Sequence, residues 1–209
     1  MSARRVRPIA LAASADTMFW VWALHAGLML FAAWWLHRLG WWAELVRGDP
    51  TGISVAIVAL SAICTLWIGH RARLLARESR GEDSLWRAAW AADVAAGRTE
   101  AAQLLSERTH GPHETAWWFA TAAIKLGLLG TVVGFIVMSM QISKMQLFDI
   151  SEVQTLLKQM TQGMAIALYT TLVGLAANLW LGLQLLLLDR VADQVAAAIL
   201  AGTDEQEAG

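Results

Sequence analysis

Four runs of mainly apolar side chains, at about 18–36, 53–69, 116–140 and 164–188, leave this chain few ways to fold. A hydrocarbon layer about 30 Å thick needs about 20 such residues to span it as a helix, because an α-helix rises about 1.5 Å per residue. Backbone N–H and C=O groups in lipid must be satisfied within the segment, and none of the four runs alternates as a strand would. With 57% hydrophobic and only 16% charged residues among 209, the chain reads as an all-α integral membrane protein with four transmembrane helices.

Charge sets the orientation, since short loops rich in Lys and Arg stay on the cytoplasmic side. With both termini cytoplasmic, eleven cations lie inside: Arg4, Arg5, Arg7, Arg71, Arg73, Arg77, Arg80, Arg87, Arg98, Arg108 and Arg190. Outside are only Arg38, Arg47, Lys144 and Lys158. Trp34, Trp35, Trp41 and Trp42 then fall at the outer interface, with Trp117 and Trp118 at the inner one. Arg4, Arg5 and Arg7 are not followed by an apolar stretch long enough for a cleaved signal, so the N-terminus is expected to be retained.

The resulting division is 1–17 as a cytoplasmic N-terminus, 18–70 as two peripheral spans and 71–115 as a short cytoplasmic helical segment. Residues 116–190 hold the third and fourth spans, and 191–209 form a cytoplasmic tail. Leu74, Leu85, Trp86, Ala89, Trp90 and Val94 recur at helical spacing in 71–115, with breaks expected near Gly81, Gly97 and the Gly111–Pro112 pair. Residues after Gly202 read as a disordered acidic tail.

The third and fourth spans carry the functional signal. Positions three, four and seven apart share a helix face, so Gly127, Gly130, Thr131 and Gly134 form one small-residue stripe. Gly163, Ala167, Thr170, Thr171, Gly174 and Asn178 form a second. Stripes of this kind let helix backbones approach closely in lipid, where van der Waals contact replaces the hydrophobic drive. Threonine and asparagine among the glycines fit close packing or a hydrated, ion-accessible seam equally well on these grounds.

Leu126–Gly134 (Leu-Gly-Leu-Leu-Gly-Thr-Val-Val-Gly) and Gly163–Leu175 (Gly-Met-Ala-Ile-Ala-Leu-Tyr-Thr-Thr-Leu-Val-Gly-Leu) together resemble the two last-helix motifs of the MotA/TolQ/ExbB ion-channel subunits. The resemblance covers about 116–193. It implies a homopentamer in the bacterial inner membrane whose last two helices line a central channel, with a MotB/TolR/ExbD-like single-span partner dimer carrying a transmembrane Asp. By the same resemblance, 116–190 is the channel core, Thr131 and Thr171 are pore threonines, and the stripe glycines with Ala167 are packing positions. Thr170 and Asn178 are read as joining the ion pathway; Lys125, on the cytoplasmic half of the third span, reads as snorkelling to the inner headgroups, with an ion-entrance role in a ring of five copies as the alternative. Ile166 and Ile124 stand where several members carry Glu and Pro. The transported ion is expected to be H⁺, with Na⁺ as the alternative, and no cofactor is expected.

The residues support that division of labour. No Asp or Glu lies between Asp16 and Glu44, Asp49 and Glu78, Glu114 and Asp149, or Glu152 and Asp189. A proton path built on a carboxylate therefore needs an acid from elsewhere. No nucleophile elbow, zinc-protease sequence or phosphate-binding loop is present, so an enzyme is not expected. His110, His113 and Glu114 lack a fourth ligand, His25 reads as an interfacial or subunit contact and Cys64 as a small packing residue. A net charge of −1 offers nothing to nucleic acid. A non-conducting helical scaffold and a stand-alone small channel remain the competing functions.

Overall fold

A computed structural model describes residues 15–79, 85–143 and 150–207. Arg4, Arg5, Arg7, Arg80, Gly81, Lys144 and Asp149 lie outside these. The described residues form six helices and no strand: α1 (Ala15–Arg38), α2 (Trp41–Gly48), α3 (Ile53–Ser79), α4 (Leu85–Ala95), α5 (Ala101–Ser143) and α6 (Ile150–Glu207). Three of them are long and apolar enough to cross a membrane, over Ile53–Ser79, Ala101–Ile142 and Leu157–Ala201. The fourth expected crossing falls on α1, which is not among them. Its 24 residues are long enough to span a bilayer core.

The long helices overrun the apolar runs. With 43 and 58 residues, α5 and α6 measure about 65 and about 87 Å at 1.5 Å per residue, well beyond a bilayer core. Two expectations are corrected by this. Gly111–Pro112 is no turn, because Pro112 sits inside α5. Proline removes one backbone donor and crowds the preceding turn. Pro112 thus leaves the Arg108 carbonyl without its ladder donor, and the neighbouring turn is tied from outside by Arg71, which donates to the Thr109 carbonyl at 3.1 Å. The acidic end is likewise not irregular: α6 continues through Glu207, since a helix already nucleated elongates readily through Ala and Glu.

The chain divides into two compact units. Ala26–Trp67 with His113–Leu185 forms the first. Its core is Ile57 of α3, fully buried against Ala123 of α5 and Ala177 of α6, with Ile53, Leu126 and Val173 packed around it. The short α2 was not anticipated. It is tied down by Trp42 Nε1, which donates to the Ala33 carbonyl at 3.0 Å, and by the Tyr169 ring, which covers Gly48.

Asp49 organises the start of α3. Its carboxylate accepts the Thr51 hydroxyl, the Thr51 N–H at 3.1 Å and the Ser54 N–H at 2.7 Å, as an N-terminal cap does. Burial works to raise its pKa, but the hydrogen bonds from Thr51 and Ser54 outweigh this and hold the carboxyl below its ordinary value. A carboxylate with a depressed folded pKa stabilises above its unfolded pKa, and that stability is lost as pH falls through the folded value. Asp49→Asn keeps one capping oxygen but loses the charge and the second acceptor, and is therefore expected to lower stability at pH 7 by up to about 1 kcal/mol, less than removal of the cap would. The gap from wild type should close below about pH 4, near the unfolded carboxylate value. Thermal unfolding of both proteins in micelles at pH 7 and pH 3 measures it; a gap that stays constant would remove the charge from the account.

Of the described residues, the other unit holds 15–25, 68–79, 85–112 and 186–207. Leu75, Ala72 and Ala76 of α3, Leu105 of α5, and Leu188, Val191, Ala192, Val195 and Ile199 of α6 are buried in it. Trp22 of α1 lies against Gly69, with the Arg73 guanidinium 5.9 Å from its ring centre. Asp93, 5% exposed, accepts from Arg98 at 3.0 Å and Arg108 at 2.6 Å across the turn at Gly97, whose φ of +67° suits glycine. Glu78, 3% exposed, accepts the Arg87 N–H at 3.0 Å and the Trp86 N–H at 3.4 Å, capping α4 from a neighbouring helix. Glu78→Ala is expected to cost about 1 kcal/mol. Faster hydrogen exchange at Trp86 and Arg87, with α5 unchanged, is the expected readout.

Candidate functional site

The two small-residue stripes meet. A Cβ built on Gly134 would stand 2.5 Å from the Gly163 carbonyl oxygen and 2.9 Å from the Ala167 nitrogen, and one on Gly163 would stand 2.8 Å from the Gly134 carbonyl oxygen. At Gly174 it would meet the Ala123 carbonyl oxygen at 2.8 Å and the Gly127 Cα at 2.9 Å. Gly130 is filled from the other side by the Thr170 side chain. All five glycines are buried. Glycine is needed here because backbone, which no rotamer change can move, occupies the space a side chain would take.

The hydroxyls divide between two environments. Thr170 is fully buried in the seam and donates to the Ile166 carbonyl at 2.8 Å. Thr171 is half-buried, donating to the Ala167 carbonyl at 2.8 Å and lying 3.4 Å from the Gly127 carbonyl of α5. Thr131, also half-buried, donates to the Leu128 carbonyl at 2.6 Å. Asn178 bridges the helices, its amide donating to the Ala120 carbonyl at 2.8 Å.

The position of α3 tells the two sides of the α5–α6 pair apart. It packs on the side of Leu126 and Val173. At about 100° per residue, Thr131 is turned about 140° from Leu126, Thr171 about 160° from Val173 and Asn178 about 140° from Val173. These three therefore lie on the side away from α3, whereas Thr170 is enclosed between the helices. Thr121, five residues before Leu126, joins that side with an exposed hydroxyl that donates to the Trp117 carbonyl at 2.9 Å. The sequence reading passed over Thr121; a five-residue offset from a core leucine is the signal that finds it.

Lys125 is exposed on the face it shares with Trp118, Leu129 and Val132. A second polar contact that the sequence reading missed lies beneath α3, where Gln184 Nε2 reaches Thr65 Oγ1 at 3.5 Å, both residues buried. A groove of about 330 Å³ runs along α6 beside Thr161, Met164, Leu168, Tyr169 and Leu172. His25 Nδ1 lies 2.7 Å from the Val21 carbonyl, His110 Nε2 lies 3.0 Å from Asp193 Oδ1, and the His113 ring stands edge-on to Trp67.

Residues 93–199 match the sequence model of the MotA/TolQ/ExbB proton channel family. This covers just over half the chain, from the end of α4 through α5 and most of α6. The chain belongs to that family. It is thus a multi-pass membrane protein of a family of proton-channel and motor subunits, and the seam of facing glycines lies wholly within the family's region. No curated protein and no solved structure matches the chain.

Proposed function

We propose that this chain is the ion-conducting subunit of a motor complex in the bacterial inner membrane, driven by the proton motive force. The observation that carries the reading is the grouping of Thr131, Thr171 and Asn178 on the side of the α5–α6 pair that α3 leaves uncovered. Side-chain oxygens at membrane depth replace part of an ion's hydration, and hydroxyls relay protons along a water file.

In this reading α1 makes the first of four crossings, both termini are cytoplasmic, and five copies surround a central path. Thr170 joins the packing glycines rather than the path. The chain has hydroxyls in the membrane but no acid, so a partner of the MotB/TolR/ExbD kind brings the carboxylate that binds and releases the ion. That ion is H⁺, with Na⁺ as the alternative because Thr131, Thr171 and Asn178 offer hard oxygen ligands on that side. A unit charge crossing 100 mV releases about 2.3 kcal/mol, and no nucleotide site is needed to supply it. The work done is transport or envelope maintenance.

The interlocked glycines also favour a second reading, a non-conducting helical scaffold, since they are explained by packing alone. Proton and sodium flux in proteoliposomes separates the two. The chain is reconstituted with and without each single-span membrane protein, encoded beside it, that carries a central Asp. Flux that requires both proteins supports the motor subunit; flux from this chain alone makes it a stand-alone channel. Its absence from every pairing supports the scaffold.

A further inference from the structure

We propose that α5 carries a built-in joint at Gly111–Pro112, and that Arg71 is the positioning residue that confines its bending to that one turn. The inference goes beyond the reading above and rests on neither the conducted ion nor the number of copies. Pro112 has no N–H to donate and its ring crowds the turn before it, and Gly111 beside it is the next-poorest helix former. Packing does not require that glycine. A Cβ at residue 111 would meet only the Glu107 side chain, with Oε1 at 3.0 Å, and a flexible carboxylate can turn aside. At Gly127, Gly134, Gly163 and Gly174 a Cβ would instead meet the backbone of the facing helix.

Both sides of this turn are fixed. Before it, Arg71 donates to the Thr109 carbonyl at 3.1 Å, the Arg108 guanidinium donates to Asp93 at 2.6 Å, and His110 Nε2 lies 3.0 Å from Asp193 Oδ1. Ala101, Leu105 and Thr109 are buried there. After it, His113 is 1% exposed with its ring edge-on to Trp67, and Ala116, Ala120 and Ala123 are buried. Gly111 and Pro112, between these anchors, are only partly buried. Bending of a helix concentrates where a ladder bond is missing. Arg71 is itself 9% exposed; its guanidinium lies 5.4 Å from the Trp86 ring centre, and its Nε has no hydrogen-bond partner among the described residues. Held between a ring face and a neutral carbonyl, it ties the turn ending at Thr109 to α3 and leaves the next turn as the one that yields. Pro112 lies 15 residues, about 22 Å, before Gly127 along α5, so a bend there redirects 101–110 and leaves the glycine seam closed.

The test is hydrogen exchange of the full chain in lipid nanodiscs, read by mass spectrometry over overlapping fragments of α3, α5 and α6, with Pro112→Ala, Gly111→Ala, Arg71→Met and Arg71→Lys beside wild type. In wild type the amides of 111–115 are expected to exchange about tenfold faster than those of 102–107 and 118–123. Pro112→Ala or Gly111→Ala should remove most of that difference; both favour helix and leave the fold intact. Arg71→Met should spread the fast exchange back over 105–109 by about the same factor with α3 and α6 unchanged, and Arg71→Lys, which keeps a donor, should confine it again. Uniform exchange across 102–123 in wild type, or a fast patch that survives both alanine variants, overturns the joint. An Arg71→Met variant that fails to fold, loosens α3 and α6 as much as α5, or has no effect overturns the positioning role.

Discussion

Gly174→Val is expected to separate α5 from α6 and leave little folded protein. The cost follows from what surrounds the position. A Cβ at residue 174 meets the Ala123 carbonyl oxygen at 2.8 Å and the Gly127 Cα at 2.9 Å, and both are backbone. Overpacking by a methylene or two in a yielding core costs about 1–3 kcal/mol. Here the obstacle yields only if a whole helix moves, so about 3 kcal/mol or more is expected. Gly182 is the internal control, since its nearest neighbour across the seam is Trp117 at 3.7 Å. Gly182→Ala should be neutral or slightly stabilising, because alanine exceeds glycine in helix propensity by about 1 kcal/mol. Thermal unfolding and size-exclusion profiles in mild detergent measure both. Wild-type melting of Gly174→Val would mean that the seam is not packed as described.

Thr171→Val is expected to cut ion flux by tenfold or more while shifting stability by less than about 1 kcal/mol, a factor corresponding to 1.4 kcal/mol or more in the barrier. Valine keeps the shape of threonine and removes the hydroxyl. That hydroxyl donates to the Ala167 carbonyl of its own helix, a bond whose loss is cheap because the carbonyl keeps its ladder partner. Thr171→Ser should retain flux. Thr170→Val, at a fully buried position in the same seam whose hydroxyl likewise donates to a carbonyl of its own helix, should leave flux unchanged. The paired readout separates the two adjacent threonines, one of which the geometry places with the glycines and the other on the uncovered side. If the two variants behave alike, or if Thr171→Val conducts normally, the division of roles fails and the scaffold reading gains.

Much of the architecture was legible because a membrane imposes rules that act locally. Apolar length alone marked α3, α5 and α6, and the spacing of Gly127, Gly130 and Gly134 marked a close-packed face before any partner was known. Where that rule thinned out, so did the reading. At eight residues, α2 is too short to leave a periodic signal. Gly111–Pro112 misled because proline usually ends a helix; side chains distant in sequence, Arg71 above all, contribute to holding the helix there. Helix length beyond the bilayer was hidden for a related reason, since Ala- and Leu-rich aqueous segments carry no mark of where hydrocarbon stops.

The amino-acid sequence by itself determined a multi-helix membrane protein with no acid in its apolar runs, two small-residue stripes, and family membership through the motifs on α5 and α6. These follow from solvation and helical periodicity, which each segment obeys alone. Only the tertiary structure decided that the stripes face each other, that Thr170 is enclosed while Thr131 and Thr171 lie on the side away from α3, and that Lys125 stands on an exposed apolar face. Those properties depend on how helices are rotated against one another. The rotation is set by backbone meeting backbone at Gly127, Gly134, Gly163 and Gly174, and by Ile57 of α3 closing one side of the pair.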